Sequence, residues 1–187
     1  MASENKRKEQ ARTLRVFRKI HRYTGALLFV FFFVISLTGL ILGWKKNSGG
    51  IIMSPTYKGS STNLKNWLST DSLYRNACMY LRDSVSPELS AEIDRIDIRK
   101  EKGTVKFVFT EHFIGLQLDG ATGKLLHIEQ RRSDYIEKIH DGSILDHYFG
   151  TDGIIKLVYT TVMGIALLIF TITGFWLWYG PKLLRKH

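Results

Sequence analysis

The chain has 187 residues, with 27 lysines and arginines against 17 acidic residues and a formal net charge of +10. That excess would suit nucleic acid if it covered a soluble domain, but eight basic residues precede Tyr23, whereas positions 47–153 hold 13 basic and 15 acidic residues. Cys78 is the single cysteine, which excludes an intrachain disulfide and a thiolate metal cluster.

Positions 1–22 form a basic tail. From 25 to 44, "GALLFVFFFVISLTGLILGW" runs 20 residues without a charge, enough helix to cross a hydrocarbon core of roughly 30 Å at about 1.5 Å per residue. A membrane helix is expected over 23–46. It should stay as an anchor, since the apolar run exceeds that of a signal peptide and no small-x-small cleavage site follows. Positions 47–61, opening "NSGGIIMSPTYKGS", read as a Gly- and Ser-rich connector.

A folded domain is expected over 62–132. Leu64, Trp67 and Leu68, then Leu73, Ala77, Tyr80 and Leu81, recur at helical intervals. Thr70 or Asp71 would cap the second helix, and Pro87 marks its stop. The period then changes to two in "RIDIRK", "TVKFVFTEH", "FIGLQLDG" and "KLLHIEQ", which predicts a small antiparallel sheet. Ile96, Ile98, Val105, Phe107, Phe109, Leu116 and Leu118 would line its one buried face. In the turn "DGATG", Gly120 and Gly123 would supply positive φ, and the side-chain oxygens of Asp119 and Thr122 would accept from nearby backbone N–H groups.

Positions 133–153 carry His140 and His147. A second uncharged run, "LVYTTVMGIALLIFTITGFWLWY" at 157–179, then predicts a membrane helix over 154–179, followed by a basic tail at 180–187. The fold class is therefore an α+β membrane protein, two transmembrane helices flanking helices packed on an antiparallel sheet. Basic residues cluster in the two tails, which predicts cytoplasmic termini and an external central domain; Lys45 and Lys46 argue the other way. Phospholipid headgroups are the natural acidic partner of these tails.

A helix followed by strands containing "LQLDGATGKLLHIE" (116–129) resembles the PepSY domain, whose sheet carries a D-x-x-T-G turn. "HRYTGALLFV", "SLTGLILGW", "IHDGSI" and "TITGFWLWYGPKLLRK" extend the likeness over about residues 15–185. Together they resemble the PepSY-associated transmembrane proteins of bacterial inner membranes, in a short two-span version. The resemblance implies a periplasmic domain at 62–132. Larger members include haem-containing reductases that act in ferric-siderophore uptake, so it also implies haem b and transmembrane electron transfer.

Of six histidines, His112 and His127 fall in strands or their returns and His187 ends the chain; these read as solvated or structural. His21 lies one helical turn before Gly25, on the same face. Two readings stand for it. Between Lys19 and Arg22 it can face lipid phosphates, or it can be a ligand beside space that the glycine leaves for another helix or a flat macrocycle. Neutral histidine is a common axial ligand of haem iron. The resemblance implies that role for His21 and for His140, the histidine of the family's His-x-Gly segment. His147 is a third cofactor candidate, because Asp146 could orient its ring.

His21 and His140 belong to opposite membrane faces, about 30 Å apart, so one haem cannot join them. A bis-histidine site then needs a second chain, and a homodimer would supply each histidine twice. Gly39-x-x-x-Gly43, Thr160-x-x-x-Gly164 and the paired "LTG" and "ITG" provide small residues for close helix approach. The chain has no hydrolase, nicotinamide or flavin motif, so electrons would come from a partner redox protein or a membrane quinone. The alternative function is a non-catalytic accessory or sensor subunit whose outer domain binds a partner such as a transport protein.

Overall fold

The computed structural model describes residues 2–185, with side chains described over 8–182; His187 lies outside them. Contacts divide the chain into two units. One runs up to Leu40 and resumes at Lys138, and the other is Ile41–Glu137.

In the first unit, α1 (Ala2–Gly43) continues without a break from the basic tail into the apolar run. The chain's last helix, α5 (Ile154–Arg185), runs back antiparallel to it. The ring of Phe17 lies 6.0 Å from that of Trp176, Phe32 5.6 Å from Phe170, and Phe31 6.3 Å from Tyr159. The segments Lys8–Gly43 and Ile154–Lys182 are long and apolar enough to span a membrane. Their large side chains point outward: Leu27 is 79% exposed, and Phe29, Val30, Leu167 and Leu168 are exposed with it. Lipid tails are as apolar as leucine, so this outward face costs nothing in a bilayer. Thr38, Met163, Ala166 and Thr173 are buried among the side chains turned inward.

The second unit holds α2 (Thr70–Ser84) and four strands, β1 (Ile93–Arg99), β2 (Thr104–Phe109), β3 (Ile114–Asp119) and β4 (Leu125–Gln130). The strands form an antiparallel meander in chain order. Ser69, one residue earlier than Thr70, caps α2 by accepting the Ser72 N–H at 3.2 Å. Leu73, Ala77 and Leu81 of α2 pack on Val105, Phe107, Phe109, Leu116 and Leu118. Ile98 does not join this core and is 58% exposed, because α2 lies over β3 whereas β1 is the sheet's edge.

The other face of the sheet is also covered, which strand alternation did not suggest. The connector crosses it. Gln117 donates to the Pro55 carbonyl at 2.9 Å and accepts from Tyr57 N–H at 3.0 Å, and Thr104 donates to the Tyr57 carbonyl at 2.6 Å. Asp119 accepts from the N–H groups of Ala121 and Thr122 as expected, and also from Ser60 N–H and Oγ at 2.9 and 3.0 Å. Burial alone would raise this carboxyl, but these bonds hold it below the usual range. Gly123 has the expected positive φ of 69°. Gly120 does not, and its need is space: the Trp67 ring lies 2.5 Å from where a Cβ would stand.

The chain leaves the sheet through α3 (Arg132–His140) and α4 (Ser143–Phe149), which precede α5. Asp146 on α4 accepts from Thr151 Oγ1 at 2.5 Å and from the N–H groups of Ile155 and Lys156 at 3.0 and 2.7 Å, capping the start of α5. Desolvation would raise its carboxyl, and these bonds lower it below the ordinary range.

Candidate functional site: two histidine seats

His21 sits on α1 with Nδ1 3.0 Å from Thr173 Oγ1 and 3.2 Å from the Phe170 carbonyl, both on α5. Its ring stacks on Phe170 at 3.9 Å between centroids and 23° between planes. A Cβ on Gly174 would stand 3.2 Å from His21 Cε1. The space made by Gly25 is taken by the Phe170 ring, which would lie 2.9 Å from a Cβ there. The glycine beside His21 therefore admits an aromatic side chain of the neighbouring helix.

His140 is the last residue of α3, and its Nδ1 lies 2.9 Å from Thr38 Oγ1 on α1. A Cβ on Gly39 would stand 3.3 Å from its Cε1. The next residues fix this end of α3. Asp141 accepts from Ser143 N–H and Oγ at 3.0 and 2.6 Å and pairs with Lys156 Nζ at 2.6 Å. Its carboxyl, which burial would raise, is held below the usual range by Lys156 and Ser143. Gly142 adopts φ 78°, and the Tyr159 ring occupies the place of a Cβ.

The two seats repeat one arrangement in opposite directions. Each histidine bonds a threonine of a spanning helix other than its own through Nδ1 and lies against the glycine that follows it. The "LTG" and "ITG" triplets are thus occupied within one chain, each by a histidine. Along α1, His21 and Thr38 are separated by about 26 Å of helix, so the seats lie at opposite ends of the hairpin. Neither Nε2 bonds a described residue, and neither is a buried nitrogen left without a partner.

His147 is carried by α4, its ring edge-on to Tyr148 at 5.7 Å, while the carboxylate of Asp146 is engaged by the start of α5. His127 packs on Tyr57 at 4.7 Å, and His112 Nε2 donates to the Ser90 carbonyl at 2.9 Å.

The second unit holds a charged cleft of about 400 Å³ that sequence reasoning missed. Glu129 is 4% exposed and accepts from Gln117 at 2.6 Å, Arg131 at 2.6 Å and Lys106 at 3.3 Å. Arg131 and Arg95 both reach Asp134, at 2.7 and 2.6 Å. Burial would raise the Asp134 carboxyl, and the two guanidiniums hold it below its ordinary value. The sequence signal was polar residues recurring on one side of neighbouring strands, Lys106 directly opposite Gln117. Among the described residues no group of three or more His, Cys, Asp or Glu could hold a bare metal ion.

Two outward-apolar helices paired antiparallel, with a helix-on-sheet domain inserted between them in sequence, define a membrane-anchored α+β protein. The family model described as the PepSY-associated TM region matches residues 3–180, and the chain belongs to that family. No curated protein and no solved structure matches it.

Proposed function

We propose that the protein binds haem b through His21 and His140 and assists electron transfer across a bacterial inner membrane in ferric-siderophore uptake. Both termini are then cytoplasmic, with His21 at the inner face and His140 at the periplasmic face. The observation that carries this reading is the state of the two rings: each spends Nδ1 on a threonine, and no described residue bonds its Nε2. Metal-ligating histidines are held in this way, with one ring nitrogen bonded to a fixed protein group and the other free for the metal. Haem, when bound, supplies an iron that gains and loses single electrons.

The chain's own residues do the positioning. Thr173 and Phe170 hold the His21 ring, and Thr38 holds His140, whose backbone is fixed by the Asp141–Lys156 pair. Each seat offers one histidine, so a second copy of the chain would supply the second histidine needed to hold the haem. Gly43 and Gly164 have no described atom within 4 Å of a built Cβ, which leaves faces where another hairpin can approach closely. Electrons arrive from a partner redox protein or a quinone.

The test is an absorption spectrum of the detergent-purified protein from haem-sufficient cells. A Soret band that falls in His21→Ala and in His140→Ala is expected; haem-free protein would overturn the reading. A second reading, an accessory or sensor subunit, is favoured by the charged cleft, whose cations and carboxylates suit a polar partner surface. A stoichiometric partner recovered from native membranes and lost in Lys106→Glu would support it; a chain that always purifies alone would count against it.

A further inference from the structure

We propose that Thr38 and Thr173 are positioning residues that lock His140 and His21 in the Nδ1–H tautomer and so make Nε2 the only ligating atom at each seat. The role of iron here rests on the preceding reading; the tautomer assignment does not.

A threonine hydroxyl carries one proton. Thr38 Oγ1 lies 2.6 Å from the Val34 carbonyl, four residues back on its own helix. Two acceptors do not sit that close without a proton between them, so the hydroxyl proton is there. The same oxygen is 2.9 Å from His140 Nδ1. With its proton spent it can only accept, and Nδ1 must therefore carry a hydrogen. Thr173 repeats the logic, 2.7 Å from the Ile169 carbonyl and 3.0 Å from His21 Nδ1. At this seat a second contact demands the same answer: the Phe170 carbonyl, which has no proton to give, lies 3.2 Å from that nitrogen.

A neutral imidazole with its proton on Nδ1 has its lone pair on Nε2. Free histidine in water favours the other tautomer, so these seats work against the default. The glycine after each threonine belongs to the device. A methyl on Gly39 or Gly174 would press on Cε1 at 3.3 or 3.2 Å, and its absence lets the ring settle within reach of the hydroxyl. The seats differ in one respect that makes the proposal testable. Among the described residues, His21 has two acceptors for its Nδ1–H, whereas His140 has the threonine alone. Loss of the hydroxyl must act more strongly at His140.

The experiment uses full-length apoprotein in lipid nanodiscs, labelled with ¹⁵N-histidine and read by long-range ¹H–¹⁵N spectra at mildly alkaline pH. Nδ1–H signatures are expected for His21 and His140. Thr38→Val, close to isosteric, should move His140 to the Nε2–H form, and Thr38→Ser should restore it. Thr173→Val should leave a large part of His21 unchanged. Haem titration of Thr38→Val should show about 10–100-fold weaker binding at the His140 seat, with Thr38→Ser near the parent. An Nε2–H signature in the parent protein, or a His140 spectrum indifferent to Thr38→Val, would overturn the proposal. Apoprotein with the assigned tautomers that takes up no haem would sink the iron reading and uphold the role of the threonines.

Discussion

Where the spans pair, Thr38, Met163 and Thr173 turn inward while Leu27, Val30 and Leu168 face out; in the sheet domain, Leu73, Leu81, Phe107 and Leu116 turn inward. The same side-chain types thus take opposite places in the two units, and the surrounding medium explains why. Burying leucine from water stabilises by about 25 cal/mol per Å², which drives α2 onto the sheet. Between lipid tails that term vanishes, and helix association rests on van der Waals packing and interhelical hydrogen bonds. The histidine–threonine contacts therefore serve as fasteners of the hairpin as well as seats.

This contrast can be broken or sharpened by substitution, using the full chain in detergent throughout. The largest effect is expected for Leu81→Ala, which empties a fully buried position and should cost about 2–5 kcal/mol, read by urea unfolding of the domain. Asp119→Ala leaves the Ser60, Ala121 and Thr122 donors without an acceptor and should cost about 1–3 kcal/mol on the same measurement.

Acid acts on the same carboxylates. Asp119 and Asp134 titrate lower in the folded domain than unfolded. The stability they contribute is therefore complete above the unfolded value, about 3.9, and is lost as pH falls through the folded values. Amide protection in β2 and β3, relative to the intrinsic exchange rate, should fall below about pH 4; protection unchanged down to the folded values would show that these carboxylate contacts add nothing.

In the hairpin, Gly142→Ala forces a side chain into positive φ against Tyr159 and should loosen α4 by about 1–2 kcal/mol, seen as faster exchange of its amides. Leu27→Ala should change stability by less than about 0.5 kcal/mol, since that side chain is mostly exposed to the surroundings. A larger loss would mean that a second copy covers this face, and the contrast would then need a third surface.

The parts of the fold legible in the sequence were those written in local pattern. Uncharged runs marked both spans, and the change of period from helix to strand marked the order of α2 and the sheet. The extension of α1 through the tail was not legible, because its basic residues carry no apolar rhythm. Nor was the second buried face of the sheet. Lys106, Gln117 and Glu129 read as solvent-facing alternation, and the connector over Gln117, together with Arg131 and Gln117 on Glu129, removes them from water. At the candidate site the histidines were legible from their type and position at the membrane boundary, and the Thr-Gly steps were visible as small residues. Their pairing was not: His140 meets a residue 102 positions away and His21 one 152 positions away, and no local spacing encodes such a meeting.

Charges alternate along the chain of contacts from Lys106 through Glu129, Arg131 and Asp134 to Arg95. Glu129 is the member that cannot mutate alone, for neutralising it leaves two cations, Lys106 and Arg131, facing each other inside the sheet. A lineage that discards Glu129 should therefore also have traded Lys106, whereas the outer positions are free to drift one at a time.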